Sequence, residues 1–169
     1  MEQVFSPGQR GYFTVESYRG QSDHPEYMAY LRDEHGPCVG VQTGEIMQEW
    51  VDVPIVSEGY STCYPLIAVD GMRTQMIHMS RDPWRMTNTD NYWRRLRDWG
   101  AKKCEVSLLR VKRSALSDAE VDDIRQIMRP NFIDINLGVD SRFGMVVDGR
   151  SRLMLVQLTD LKELRKYQI

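Results

Sequence analysis

The sequence predicts an α+β protein in which mixed β-sheets are stacked and flanked by helices. Short apolar runs with strand-like spacing are frequent, and several are apolar on both faces, as strands inside a layered core are. Two Asp-Gly pairs, at residues 70–71 and 148–149, separate such runs and indicate β-hairpins. Amphipathic segments with capping-box starts lie between the strands and predict helices that cover the sheets.

Length and charge set the broad class. The 169 residues suit a single domain, residues 1–169, with a loosely held lead-in at residues 1–10. The net charge is −2 and no basic run alternates with aromatic residues, so nucleic acid is not an expected partner. The sequence has neither a membrane-spanning run nor a secretory signal. We therefore expect no membrane contact, and either a cytoplasmic location or delivery into a target cell without a Sec-type signal peptide.

The first part of the chain combines one strand, one helix and a region of short strands. Alternating side chains predict a strand at residues 11–17. A helix is expected to begin at Asp23, where Glu26 completes a capping box, and to end near Gly36. At residues 38–56 the pattern favours two or three short strands in a meander.

Residues 60–79 form the central element, a hairpin whose strands are apolar on both faces. If Asp70-Gly71 is the two-residue loop of a type I′ turn, counting outward places Cys63 directly opposite His78. Directly opposed Cβ atoms lie about 4.5–5.5 Å apart, so this register proposes a Cys-His pair. Pro65 lacks an N–H for the ladder, so the first strand is expected to bend or begin there, with Cys63 on the segment that enters it.

The second half of the chain alternates helices and strands. A helix is predicted over residues 87–99, ended by Gly100, and another from the capping box of Ser117 to the residue before Pro130. Thr159 is expected to cap a short terminal helix. Strands are predicted at residues 103–111, 132–137, 144–147 and 153–158.

Cysteine and histidine usage argues against a metal site. The chain has 3 cysteines and 3 histidines, and none of them shows paired metal-ligand spacing. We therefore expect reduced thiols, no metal and no organic cofactor. Cys38 and Cys104 lie in strand-like sequence and are expected to be core residues.

The run Tyr60-Ser61-Thr62-Cys63, with His78 one hairpin later, resembles the signature of the Cys-His glutamine deamidases. This group is typified by the cytotoxic necrotizing factor catalytic domain, the Burkholderia lethal factor and the bacterial chemoreceptor glutamine deamidase. Several members carry a threonine six residues before the cysteine that orients the histidine, and Ser57 occupies that offset here. Thr62 stands where glycine is usual, and Tyr60 stands where leucine is usual. The resemblance implies an α/β/β/α sandwich.

The resemblance also implies a cysteine-dependent amidohydrolase that acts on a glutamine of a partner protein. An imidazolium at His78 would favour the Cys63 thiolate, which would attack the carboxamide and form a thioester. The backbone N–H groups of Thr62 and Cys63 would hold the oxyanion, and Ser57 or a backbone carbonyl would orient the imidazole. Tyr60 and Ser61 would contact the substrate. A lysine amine in place of water would give transglutamination.

Several alternatives remain open. The protein could act as a bacterial effector or toxin, or as a housekeeping modifier of a receptor. Cys63 could instead be an inert core cysteine in a binding domain on the same scaffold, with methionine-rich and aromatic surfaces that engage a partner. A small-molecule amidase is a further reading. A rival thiol site at His35 and Cys38 is separated by Gly-Pro, which is typical of a helix exit.

Overall fold

A computed structural model of the chain describes residues 12–14, 37–80 and 89–169. They contain ten strands and two helices. The strands are β1 (Tyr12–Thr14), β2 (Pro37–Gly40), β3 (Ile55–Tyr60), β4 (Tyr64–Asp70), β5 (Arg73–Met79), β6 (Glu105–Arg110), β7 (Phe132–Asn136), β8 (Phe143–Asp148), β9 (Leu153–Leu158) and β10 (Glu163–Gln168). The helices are α1 (Thr89–Ala101) and α2 (Asp118–Met128). Neither helix is long and apolar enough to cross a membrane.

The strands form two mixed sheets that pack face to face. The six-stranded sheet has the order β1-β2-β3-β8-β9-β10, and the four-stranded sheet has the order β5-β4-β6-β7. The pairs β2-β3 and β6-β7 are parallel, and the remaining pairs are antiparallel. The predicted α+β class with stacked mixed sheets is confirmed.

Two hydrophobic clusters fill the spaces between the layers. Ile67 and Val69 of β4 enter the cluster between the sheets. Leu66 and Ala68 enter the cluster between the four-stranded sheet and the helices. This division follows from the alternation of side chains along a strand, and it explains why β4 is apolar on both faces. Helices α1 and α2 therefore cover the outer face of the four-stranded sheet. The helix predicted from Asp23 lies outside the described residues.

The central hairpin forms as predicted, but its register differs. Asp70 pairs with Arg73, so Gly71 and Met72 are the loop residues. Gly71 has a φ of +63°, whereas Met72 is not among the residues with positive φ. A positive φ at the first central position alone is the pattern of a type II′ turn, which needs glycine there. The predicted type I′ turn on Asp70-Gly71 is wrong, and the ladder shifts by two residues.

The chain between β2 and β3, residues 41–54, crosses from the six-stranded sheet to the four-stranded sheet and back. We call it the crossover segment. Isolated bridges join Ile46 to Ile77 and Val51 to Thr74, so the segment runs along β5. It covers backbone groups that an edge strand would otherwise expose. The predicted meander is wrong because β2 and β3 pair in parallel, which requires a crossover.

Helix α1 continues through Gly100, where it was predicted to end. The N–H of Lys103 donates to the carbonyl of Gly100 at 3.1 Å, and the N–H of Cys104 donates to the carbonyl of Trp99 at 3.0 Å. Lys103 has a φ of +56°, which completes a Schellman motif without glycine. A Cβ on Gly100 would lie 2.5 Å from the carbonyl oxygen of Ile127 in α2. Gly100 therefore allows the two helices to approach closely.

Of the two other helix predictions in the second half of the chain, one is confirmed and one is wrong. Ser117 caps α2 as predicted, and its Oγ accepts a hydrogen bond from the N–H of Glu120 at 3.2 Å. The helix predicted after Thr159 is wrong, because β10 pairs with β9 along its whole length. The turn that reverses the chain into β10 contains Lys162, whose φ is +51°.

Candidate active site

Strand β3 carries a bulge that turns two polar side chains toward the other sheet. Ser57 pairs with Met145 and Tyr60 pairs with Phe143, so β3 has one residue more than β8 over this interval. Gly59 lies within the bulge with a φ of +83°, a conformation that favours glycine. Because of the extra residue, Ser57 and Tyr60 both point between the sheets, where regular alternation would separate them.

The hydroxyl of Ser57 is the centre of a buried polar network. It donates to the backbone carbonyl of Val41 at 2.8 Å, and it shares a 2.6 Å hydrogen bond with the hydroxyl of Tyr60. Its Oγ also lies 3.2 Å from Nδ1 of His78 on β5. Ser57, Tyr60 and His78 are all fully buried. The network therefore joins the two sheets and the first residue of the crossover segment.

Aromatic stacking fixes the plane of the His78 ring. The ring of Tyr60 lies over it with centroids 4.1 Å apart and an interplanar angle of 24°. Phe143 stacks on Tyr60 at 4.8 Å. The backbone of His78 is held by the crossover segment, since it accepts from the N–H of Gly44 and donates to the carbonyl of Glu45. Both the ring and the backbone of His78 are thus constrained.

The charge of His78 differs from the expectation. Burial lowers the pKa of His78 from 6.5 to about 4, and a hydrogen bond to the Val41 carbonyl opposes this effect without cancelling it. The imidazole is therefore neutral at neutral pH, and the predicted imidazolium is wrong for this state. Its Nε2 is buried and has no hydrogen-bond partner among the described residues.

Cys63 lies on the same face of the hairpin as His78, but it is not directly opposite. Pro65 occupies the opposing position, because the register is shifted by two residues. Diagonal neighbours of this kind have Cβ atoms within about 7–8 Å of one another. Cys63 stands just before β4, as predicted, and it is 8% exposed, whereas His78 is 0% exposed. Cys63 is therefore the more exposed residue of the predicted pair, although it too is buried.

The residues before Cys63 occupy different environments. Thr62 is exposed, and its carbonyl accepts from the N–H of Ala115 at 2.9 Å. Among the described residues, the N–H groups of Thr62 and Cys63 donate to no backbone carbonyl. Ser61 is partly exposed. Tyr60 departs from its predicted role, since its fully buried ring packs on His78 and does not reach a surface where substrate could bind.

The other cysteines form no comparable arrangement. Cys38 and Cys104 are buried in the core as predicted, and burial raises the pKa of Cys104. His35, the other member of the rival site, lies outside the described residues. Within the described ranges, no group of histidine, cysteine and carboxylate side chains could hold a metal ion.

Sequence reasoning missed the carbonyl of Val41 and the ring of Phe143. A backbone carbonyl has no sequence signal, because every residue carries one. Gly59 inside a strand pattern was the one available sign of the bulge that brings Ser57 and Tyr60 together. The sequence matches no protein-family model and no curated protein, so the class of the site is argued from its residues.

Proposed function

We propose that the protein is a cysteine-dependent amidohydrolase, a protein glutamine deamidase in which Cys63 is the nucleophile and His78 the general base. One observation carries this proposal. The imidazole is held on its Nδ1 side, Nε2 has no hydrogen-bond partner among the described residues, and Cys63 lies on the same face of the hairpin. A buried polar atom without a hydrogen-bond partner costs about 1–3 kcal/mol of stability. The unpaired Nε2 is therefore explained more readily by a role in catalysis than by a role in stability.

The chemistry follows from a neutral imidazole. Nε2 of His78 takes the thiol proton as Sγ of Cys63 attacks the carboxamide carbon of a glutamine. The oxyanion would form near the N–H groups of Thr62 and Cys63, which donate to no backbone carbonyl in the part of the chain that the structure describes. The imidazolium then protonates the leaving ammonia. Water attacks the thioester, its proton passes to Nε2, and glutamate and the free thiol are released.

A protein substrate is favoured by the resemblance of Tyr60-Ser61-Thr62-Cys63 and His78 to the glutamine deamidases. Ser61 and Thr62 would meet such a substrate, because they lie nearer the surface than the thiol that follows them. With a protein substrate, the enzyme would work in the cytoplasm or as an effector or toxin delivered into a target cell. A lysine amine that replaced water would convert the same thioester to a crosslink.

The burial of His78 favours a second candidate, a binding domain in which Cys63 is inert. A fully buried imidazole is also found as a core residue held by backbone and hydroxyl groups, and Ser57 and Val41 provide such groups. The two candidates differ in one property. A deamidase requires Cys63 to react in the folded protein, and a binding domain does not.

Alkylation of the folded protein by iodoacetamide tests this property, with peptide mapping of each cysteine across pH. Cys63 should react first, and His78→Gln should slow it about 100-fold at neutral pH, because the base is removed. Cys38 and Cys104 are internal controls that should react only on unfolding, since they are 1% and 4% exposed. Equal rates with and without His78, or protection of Cys63 until the protein unfolds, would favour the binding domain.

A direct assay looks for the product. Wild-type protein, Cys63→Ser and the control Cys104→Ser are incubated with a cell lysate, and peptides in which glutamine has become glutamate are quantified by mass spectrometry. A site converted by the wild type and by Cys104→Ser, but not by Cys63→Ser, supports the deamidase. Conversion that is independent of Cys63 contradicts it.

A further inference from the structure

We infer that Tyr60 is a positioning residue, whose hydroxyl holds Ser57 in the rotamer that supports Nδ1 of His78 and whose ring fixes the plane of the imidazole. The inference rests on the proposed function, since it assigns a role within that same site. It concerns a residue that contacts no substrate, because its ring lies between His78 and Phe143 in the core.

Proton accounting assigns the hydrogen bonds. The Val41 carbonyl can only accept, so the single O–H of Ser57 points to it at 2.8 Å. Oγ of Ser57 then accepts from the hydroxyl of Tyr60 at 2.6 Å and from Nδ1–H of His78 at 3.2 Å. The hydroxyl of Tyr60 also points to Sδ of Met76 at 3.6 Å, but a thioether is a weak acceptor, and the Val41 carbonyl shares Nδ1–H with Ser57. A neutral imidazole has one N–H, so Nε2 keeps a lone pair. The assignment agrees with an Nε2 that makes no hydrogen bond to any described residue.

Ser57 needs a partner to hold this geometry. A serine side chain has three staggered rotamers, whereas the β-branched side chain of threonine is more restricted. The hydroxyl of Tyr60 supplies the restraint, since its 2.6 Å hydrogen bond is the shortest of the three at Ser57. Burial raises the pKa of Tyr60, so the phenol stays protonated and remains a donor.

The ring of Tyr60 contributes separately from its hydroxyl. It stacks on His78 at 4.1 Å, and Phe143 supports it from the other side at 4.8 Å. The bulge at Gly59 places this ring and the Ser57 hydroxyl on one face. Tyr60→Phe therefore removes the hydroxyl alone and keeps the stack.

The test is a double-mutant cycle of Tyr60→Phe and Ser57→Thr, read by ¹⁵N NMR of the histidine rings and by the pH profile of Cys63 alkylation. The wild type should show His78 as the Nδ1–H tautomer with slow proton exchange. Tyr60→Phe should speed that exchange and slow alkylation about fivefold to tenfold. Adding Ser57→Thr should restore both properties, because threonine restricts the hydroxyl by itself. Ser57→Thr alone completes the cycle and measures the separate effect of the added methyl group at this buried position.

The outcomes separate the two proposals. The positioning role fails if the wild type shows the Nε2–H tautomer, if Tyr60→Phe leaves both readouts unchanged, or if Ser57→Thr gives no rescue. The tautomer is measured on the wild type, so this outcome does not depend on whether any variant folds. If Cys63 is unreactive in the wild type, the deamidase proposal fails, and the NMR readout still decides whether Tyr60 positions His78.

Discussion

At the residue scale, the behaviour of the candidate site depends on the charge of one imidazole. His78 is buried between two sheets, and burial lowers its pKa to about 4. It is therefore neutral at neutral pH and cannot supply the positive charge that would stabilise a resting thiolate; in the proposed deamidase it would serve as a neutral base. This arrangement differs from a Cys-His ion pair, in which the imidazole is already protonated.

Burial of His78 predicts that stability changes with pH. The unfolded chain binds a proton at His78 below about pH 6.5, and the folded protein does so only below about pH 4. The free energy of unfolding should therefore rise between these values and level off above them, by roughly 3 kcal/mol from this residue. Urea unfolding across pH measures the slope. His78→Gln should flatten the slope, because it removes the group that binds a proton on unfolding, while the other histidines are the same in both proteins. Parallel curves for wild type and variant would show that His78 does not contribute.

Ser57→Ala should impair the site beyond its effect on stability. Ser57 and Ser141 are both fully buried serines with hydrogen-bonded hydroxyls. Replacing either with alanine should cost about 1–3 kcal/mol in urea unfolding, because partners are left unpaired. Only Ser57→Ala should also slow the alkylation of Cys63, since only Ser57 contacts His78. An equal loss of reactivity in Ser141→Ala would indicate a general loosening of the fold.

At the scale of elements, two glycines have roles that differ from those of turn formers. Gly59 permits the bulge that places Ser57 and Tyr60 on one face of β3. Gly100 permits the close approach of α1 to α2. In both cases a small local feature determines where larger side chains lie.

Gly59→Ala should disturb the site through the backbone. A Cβ at this position meets only Oγ1 of Thr43 at 4.0 Å, so space is available and the cost is the left-handed conformation, about 1–2 kcal/mol. Gly138→Ala is the matched control, since its φ is +71°, no atom lies within 4 Å, and it is not part of the hairpin that carries His78. Both variants should lose similar stability, and only Gly59→Ala should slow the alkylation of Cys63. The same rate in both variants would contradict this role of the bulge.

Gly100→Ala should destabilise the protein, although alanine is the better helix former. The added Cβ would lie 2.5 Å from the carbonyl oxygen of Ile127, so the helices must separate. We expect a net loss of about 1–3 kcal/mol from this overpacking. Ala101→Gly, at an exposed position of α1, measures the propensity effect alone. A gain in stability for Gly100→Ala would show that the helix contact adjusts without cost.

At the scale of the whole molecule, one hydrophobic cluster lies between the two sheets and a second lies between the four-stranded sheet and the helices, and β4 contributes to both. Strand β4 of the four-stranded sheet and strand β8 of the six-stranded sheet are buried along nearly their whole length. Strands β7 and β10 lie at the edges of their sheets and are largely exposed or half-buried. The candidate site lies between the sheets, where β3 faces β5.

Hydrogen exchange should reproduce this gradient. Amides of β4 and β8 should exchange most slowly, at rates set by global unfolding, because both neighbours and both faces protect them. Amides of β7 and β10 should exchange faster through local opening. Mass spectrometry of peptic fragments measures both sets in one experiment. Equal protection of β10 and β8 would indicate that the C-terminal strand is as stable as the core.

The sequence by itself determined features that depend on neighbours along the chain. Ser117 and Glu120 predicted the start of α2, because a capping box is a local contact. The two apolar runs around Gly71 predicted the hairpin, and their spacing placed Cys63 and His78 on one face. That placement persists in the actual register, because a shift of two residues keeps every side chain on its own face.

Only the tertiary structure decided features that join distant segments. The II′ turn selected the register, so Pro65 rather than Cys63 lies opposite His78. The neutral charge of His78 comes from burial between two sheets, and its supports, Val41 and Tyr60, belong to the crossover segment and the bulged strand. Local patterns specify which way a side chain points, whereas burial and pairing depend on what the rest of the chain packs against it.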